Sequence, residues 1–224
     1  MLPDPDPLPP VITSFGILVL SFLLGMRHAT DADHVVAVTA IITRQRSLAR
    51  ATSIGALWGL GHTLTLLAVG GAMIVLGLVM PPWLGLTLEL VVAVMLVVLG
   101  IASVVGGSRN ERMIDSSARP LIVGTIHGMA GSAAFTLLAL PLIASPLLAA
   151  GYLVLFGVGT IAGMVVVTLA ISLPSLYAAH RIEGARHVLR YAAGFASIAF
   201  GLYLAHQVGF ASGLFTGNPV WTPR

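Results

Sequence analysis

The sequence contains no cysteine and no lysine, and each absence narrows what the protein can do. Without cysteine, the chain has neither disulfides nor thiolate ligands, so a bound transition metal would be held by nitrogen and oxygen atoms. Without lysine, the positive charge rests on eleven arginines, which lie mostly in short segments between apolar runs. That spacing is typical of membrane topology and not of a nucleic-acid-binding surface, so no nucleic-acid partner is expected.

Charged residues are also scarce. They make up 8% of the 224 residues, whereas 57% of the residues are hydrophobic and the mean hydropathy is +1.00. Soluble domains carry about a quarter charged residues, so this composition predicts an integral membrane protein that is all-α and embedded in the lipid bilayer. Residues 1–10 are acidic and proline-rich and lack the positive start of a signal peptide, so the first apolar segment is expected to stay in the mature protein.

Six segments are apolar over the roughly 20 residues that a transmembrane helix needs. The first is long enough to extend beyond the bilayer or to break near Gly25, the fourth is expected to kink at Pro141, and the fifth is expected to end near Pro174. The predicted spans are 11–42, 51–80, 83–105, 120–144, 147–173 and 191–208.

The arginines alternate between the predicted loops. The loops after the first, third and fifth spans carry nine arginines, and the loops after the second and fourth spans carry none. By the positive-inside rule the arginine loops face the cytoplasm, so both termini are predicted on the outer face of a multi-pass protein of the cell (inner) membrane. The nine residues are Arg44, Arg46, Arg50, Arg109, Arg112, Arg119, Arg181, Arg186 and Arg190.

Two short patterns recur in the two halves of the chain. Residues 58–63 and 156–161 share an aromatic-Gly-apolar-Gly frame, and residues 25–28 and 124–127 share a Gly-x-x-His frame. Because each half has three spans, the second half would be inverted relative to the first, as in many secondary transporters. The predicted organisation is therefore two inverted three-helix repeats, 11–106 and 120–208, joined by a cytoplasmic loop at 107–119 and flanked by tails at 1–10 and 209–224.

Five ionisable side chains lie within eight consecutive residues of the first predicted span: Arg27, His28, Asp31, Asp33 and His34. Ionisable groups at membrane depth are costly and mark ion or substrate paths. On a straight helix His28, Asp31 and His34 share one third of the circumference, Asp33 points elsewhere unless the helix bends, and Arg27 is placed to pair with Asp31. One arginine can neutralise only one of two aspartates, so the cluster has a surplus negative charge that a cation would offset.

Imidazole and carboxylate ligands favour borderline divalent ions such as nickel, cobalt or zinc over manganese and magnesium. His62 and His127 are predicted at a depth similar to that of His34, although a hydrogen bond between helices is the structural alternative for each. Glu89, near the outer end of the third span, is expected to reach the lipid headgroups. The predicted metal ligands are His28, Asp31, Asp33, His34, His62 and His127.

These residues carry a resemblance to the nickel/cobalt transporter family (NiCoT). Residues 27–34 resemble its first motif, with the signature His-x4-Asp-His, residues 60–63 resemble its second motif, and Gly163-Met164 is similar to the opening of a later one. Members of that family usually have eight spans, with the first motif in the second span, and acidic motifs in the second half that are absent here. The chain thus resembles a short, divergent six-helix member, and the resemblance implies divalent-metal binding through the first motif.

The sequence as a whole predicts a secondary transporter and not an enzyme. Its predicted substrate is a divalent transition-metal ion, with nickel or cobalt as the preferred candidates. No cofactor is expected, and no nucleotide-binding motif is present. The alternative is a metal-dependent membrane enzyme or a metal-handling accessory protein that binds the ion without transporting it. Export of an anion recognised by Arg27 fits less well, because the surplus charge is negative. The sequence does not specify the direction of transport, the ion or potential to which transport is coupled, or whether the protein forms a homo-oligomer.

Overall fold

A computed structural model describes residues 10–43, 45, 47–78, 80–105, 118–128, 143 and 145–221. Every regular element among these residues is a helix, as predicted. The helices are α1 (Pro10–His28), α2 (Ala32–Ile42), α3 (Leu48–Leu76), α4 (Pro82–Val105), α5 (Ala118–Gly128), α6 (Pro146–Arg181) and α7 (Ala185–His206), and a π-helical turn (Gln207–Ala211) extends α7.

Four of the helices are long and apolar enough to cross a membrane, namely α3, α4, α6 and α7 with its π-helical extension. The apolar stretches of α1 and α2 are shorter and together correspond to the first predicted span. The described part of the chain is thus all-helical and has several candidate membrane spans. Residues 129–142, which include Pro141 and its expected kink, and residues 106–117 of the predicted loop lie outside the described residues, so the count of six spans stays a prediction.

The first predicted span is broken, but the break lies at Ala29–Asp31 and not near Gly25. The backbone N–H groups of Thr30 and Asp31 donate to the carbonyls three residues earlier, at 2.8 and 3.0 Å, and Asp31 then turns to an extended conformation with φ −60° and ψ 146°. Gly25 serves close packing instead, because a Cβ there would overlap the Phe156 carbonyl of α6. The break places His28 before the interruption and His34 after it.

Two other predicted ends were wrong. The helix α6 continues through Pro174 to Arg181. Proline has no backbone N–H to donate, but a membrane helix tolerates this loss in its interior because neighbouring groups compensate for it. The helix α7 begins at Ala185, six residues before the predicted start of the sixth span at 191, because Gly184 adopts a left-handed conformation (φ 79°) that turns the chain into it. Both differences fall where arginine-containing ends of helices extend past the apolar run.

The helices form two packed groups that α2 connects. The first group consists of α1 against α6, α6 against α3 and α3 against α5, and the second is the pair of α4 and α7. The short helix α2 contacts α4, α7 and α6, and its residues Ala37, Val38 and Ile41 are buried in a core to which helices of both groups contribute. A separate core of α1, α3 and α6 side chains surrounds Phe156. The break before α2 therefore lies where the chain passes from α1, in the first group, to a helix that contacts both groups.

The C-terminal tail folds back onto α4. Trp221 packs against Gly85, and its Nε1–H donates a 2.8 Å hydrogen bond to Oε1 of Glu89, which is buried. The expectation that Glu89 reaches the lipid headgroups was therefore wrong. The physical reason is that the indole of Trp221 covers the carboxyl group and supplies a hydrogen-bond donor, so the side chain does not need water.

Candidate metal site

The break between α1 and α2 brings His28 to the centre of a buried cluster. His28 ends α1, and its Nδ1 lies 2.9 Å from Oδ2 of Asp31, while its Nε2 lies 3.1 Å from Nε2 of His62 on α3. An ionised Asp31 can only accept, so it accepts a hydrogen bond from Nδ1–H of His28 and leaves Nε2 of the neutral ring unprotonated. That nitrogen faces the interior of the bundle.

Asp33, in the first turn of α2, joins two further histidines. Its Oδ1 accepts from the backbone N–H of His34 at 3.0 Å and lies 3.2 Å from Nδ1 of that ring, and its Oδ2 lies 2.9 Å from Nε2 of His127 on α5. A straight helix would point Asp33 away from the other ligands, and the break supplies the bend that brings it to them. The carboxylate therefore orients two imidazoles at once.

His34 is the centre of the cluster. Its ring centroid lies 4.7 Å from that of His28, 5.3 Å from His62 and 4.2 Å from His127. Two sets of three ligand-bearing residues follow, each with its ligand atoms within 4.8 Å of one another, and both contain His34. The first set is His28, His34 and His62, and the second is Asp33, His34 and His127.

Three buried ring nitrogens of this cluster have no hydrogen-bond partner among the described residues: Nε2 of His34, Nδ1 of His62 and Nδ1 of His127. For His34 and His127 the opposite nitrogen donates to Asp33, so the unpartnered nitrogen of a neutral ring is a free lone pair. Leaving buried polar atoms unpaired costs about 1–3 kcal/mol each, and a lone pair on imidazole is a good ligand for a transition metal. The donor set therefore fits a borderline divalent cation.

Of the six predicted ligands, five lie in these two sets, and Asp31 lies in neither. It bonds to the ring nitrogen of His28 opposite the one that faces His62. The expected ion pair between Arg27 and Asp31 was wrong, because the break moves Asp31 off the helical position four residues beyond Arg27, and the Arg27 side chain is exposed. Neither aspartate is paired with an arginine in the described part of the chain, so the cluster holds two carboxylates against imidazoles alone.

Aromatic side chains close the cluster, and their part in it was not predicted. Trp58 is fully buried with its ring centroid 5.6 Å from that of His127, and the Phe156 ring lies 5.4 Å from His28. In the sequence both stand out only as the aromatic positions of the recurring frame in residues 58–63 and 156–161. Their position in that frame, next to the paired glycines, was the one sequence feature that could have indicated their place beside the cluster.

The carboxylate of Asp31, which contacts the ligand His28 but lies in neither three-residue set, allows a first test of the cluster. Replacing Asp31 with Asn weakens the acceptor that orients His28, and loss of such a partner lowers metal affinity by about 10- to 100-fold. We expect that loss in nickel binding by the purified protein, measured by titration calorimetry, with the melting temperature little changed. Glu183→Gln, which removes an exposed carboxylate outside the cluster, is the matched control and should bind like the parent. Equal affinities in all three proteins would contradict a role for Asp31 in orienting a ligand.

The apolar helices and the buried histidine and aspartate cluster together define the class of the protein, a helical membrane protein with a candidate metal site. The chain is 32% identical over 217 aligned positions to the urease accessory protein UreH of Bacillus sp. (strain TB-90), with 89% of this chain and 95% of that protein covered. The chain belongs to the UreH family of urease accessory proteins.

The name of the relative describes an accessory protein and not an enzyme, and the expectation that the chain is not an enzyme is confirmed on that ground. No protein-family model matches the chain. No solved structure matches it either.

Proposed function

We propose that the chain is a secondary transporter that carries a divalent transition-metal ion, nickel or cobalt first, across the cell membrane through the cluster centred on His34. The observation that carries this proposal is the set of three buried imidazole nitrogens without a partner among the described residues, next to two carboxylates that no arginine described there neutralises. A divalent cation would supply both the missing bonds and the missing charge. The likeness of residues 27–34 to the first NiCoT motif supports the same choice of ion.

The shared ligand suggests how the ion would move. His34 belongs to both three-residue sets, so an ion held by His28, His34 and His62 would keep one ligand as it passes to Asp33, His34 and His127. Three protein ligands leave other coordination positions open for water or for the incoming ligand. Such incomplete sites release an ion more readily than a closed four-ligand site does.

Close packing between helices supports the proposed inverted repeat. In α1 and α5 the glycines of the two Gly-x-x-His frames, Gly25 and Gly124, approach the carbonyls of Phe156 and Trp58, which are the aromatic positions of the two other frames. Equivalent positions of the two halves thus make equivalent contacts, with α1 on α6 and α5 on α3.

The second glycine of each aromatic frame repeats this relation. Gly159 of α6 approaches the carbonyl of Phe22, three residues before Gly25, and Gly61 of α3 approaches that of Leu121, three residues before Gly124. Six spans in two inverted repeats, with the arginine loops in the cytoplasm, are the topology that we propose. In that orientation an entering divalent ion gains about 4.6 kcal/mol per 100 mV, inside negative.

Reconstitution tests the proposal. The purified protein is placed in vesicles that enclose a metal-sensing dye, and nickel, cobalt, zinc or magnesium is added outside with and without an inside-negative potential. We expect flux of nickel or cobalt that exceeds that of magnesium and that rises with the potential. Bound nickel without flux would favour the alternative, an accessory protein that holds the ion without transporting it. The absence of both binding and flux would contradict both functions.

A further inference from the structure

A second polar pocket lies at the arginine-rich end of the bundle, apart from the metal site. It is formed where α2 ends and α3 begins, against the last turns of α6 and the first turn of α7. Its polar lining consists of Thr43, Gln45, Ser47, Ser172, Ser175 and Arg186. None of these residues belongs to the histidine cluster, so the pocket needs an explanation of its own.

Three of the residues that line this pocket carry polar groups that have no hydrogen-bond partner in the described ranges. They are the hydroxyl of Thr43, which is 8% exposed, the hydroxyl of Ser172, which is 3% exposed, and Nε–H of Arg186, whose nitrogen is buried. Buried polar groups are nearly always paired. Three unpaired groups around one pocket therefore point to a ligand that supplies acceptor atoms.

The charge of the pocket selects an anion. A guanidinium is always protonated and only donates, and Ser and Thr hydroxyls can donate as well. Glu183, the only acidic residue between α6 and α7, is exposed and does not line the pocket. Two helices end and two begin at the pocket, so their dipoles largely cancel. Among the described residues that line the pocket, Arg186 alone is charged. This set of donors is unsuited to a metal cation.

We propose that this pocket binds a phosphate group. Arginine matches the geometry of phosphate oxygens, and the hydroxyls of Thr43 and Ser172, two other residues that line the pocket, are further hydrogen-bond donors. Basic pockets between membrane helices bind the headgroups of anionic lipids, and inorganic phosphate offers the same chemistry. The proposal does not depend on metal transport, because no residue is shared between the two sites.

The experiment uses the full-length protein purified in detergent. Lipid binding is counted by native mass spectrometry with dioleoylphosphatidylglycerol and with dioleoylphosphatidylcholine, and the melting temperature is recorded in sodium phosphate and in sodium chloride of equal ionic strength. We expect Arg186→Gln to weaken phosphate-dependent binding by about 10-fold or more, the effect of one charge-assisted hydrogen bond. Arg181→Gln, which removes an exposed arginine outside the pocket, is the matched control and should bind like the parent.

The outcomes separate the sources of the phosphate. Tight binding of the anionic lipid that inorganic phosphate does not displace identifies a lipid headgroup, and stabilisation by inorganic phosphate without preference between the lipids identifies a soluble anion. Equal losses in Arg186→Gln and Arg181→Gln would overturn the proposal, since general surface charge would then account for binding. So would an absence of binding by the parent protein. Should Arg186→Gln fail to fold, Ser172→Ala decides, because unchanged binding in that variant excludes this pocket.

Discussion

Replacing His34 with Ala is expected to lower metal transport by more than about 100-fold, since even the loss of an outer partner of a metal ligand costs about 10- to 100-fold. The reason is that His34 is the one residue common to both three-residue sets, so its loss leaves two ligands in each. The measurement is the initial rate of nickel uptake by reconstituted vesicles, with the amount of inserted protein determined by immunoblot.

Two further variants make this result interpretable. His206→Ala removes an exposed imidazole outside the cluster and should transport at the parental rate. His34→Asn keeps a polar side chain that can bond to Asp33 and fills part of the volume, so it controls for a cavity in the core. If His34→Asn inserts normally and still transports nickel like the parent, the cluster is not the path of the ion.

The second large effect is expected at Gly61, where α3 crosses α5. A Cβ at this position would overlap the carbonyl of Leu121 and lie 2.9 Å from the backbone nitrogen of Thr125. Backbone atoms cannot move aside as a flexible side chain can, so Gly61→Ala must push the two helices apart. Overpacking of this kind costs about 1–3 kcal/mol, and we expect a lower melting temperature together with a loss of metal binding, because His62 and His127 lie on these two helices.

The chain offers a control in the same helix. A Cβ added at Gly71 of α3 would meet no atom of a neighbouring helix within 4 Å among the described residues, so Gly71→Ala should be neutral or should stabilise the helix by up to about 1 kcal/mol. Melting temperatures of the two variants, followed by the fluorescence of the purified protein, give the comparison. A Gly61→Ala protein as stable as Gly71→Ala would contradict the close approach of α3 and α5.

Five of the six ligands predicted from the sequence lie in one cluster, but their arrangement was not predicted. The surplus of negative charge and the NiCoT-like motif indicated His28, Asp33 and His34, because ionisable residues are rare in an apolar run and stand out without any structure. The position of the break was missed. Helix propensity marks glycine as the weak point, whereas in the bundle Gly25 is held by packing on α6 and the interruption falls at Ala29–Asp31.

Contacts that depend on the three-dimensional path of the chain were harder to predict from the sequence. A straight helix places Arg27 near Asp31, and only the three-dimensional break shows that Asp31 bonds to His28. The burial of Glu89 under Trp221 joins residues 132 positions apart, and the sequence carries no local signal for such a contact. The continuation of α6 past Pro174 depends on neighbouring helices, which the pattern of a single segment does not include.

The interruption at Ala29–Asp31 has a mechanical consequence. His28 is carried by α1, which packs on α6, whereas Asp33 and His34 are carried by α2, which contacts α4 and α7 as well as α6. The three residues of the interruption are thus the point at which the angle between α1 and α2 can change. A change in that angle would lengthen or shorten the distance between the rings of His28 and His34, which is 4.7 Å between centroids, and would therefore change how an ion between them is coordinated.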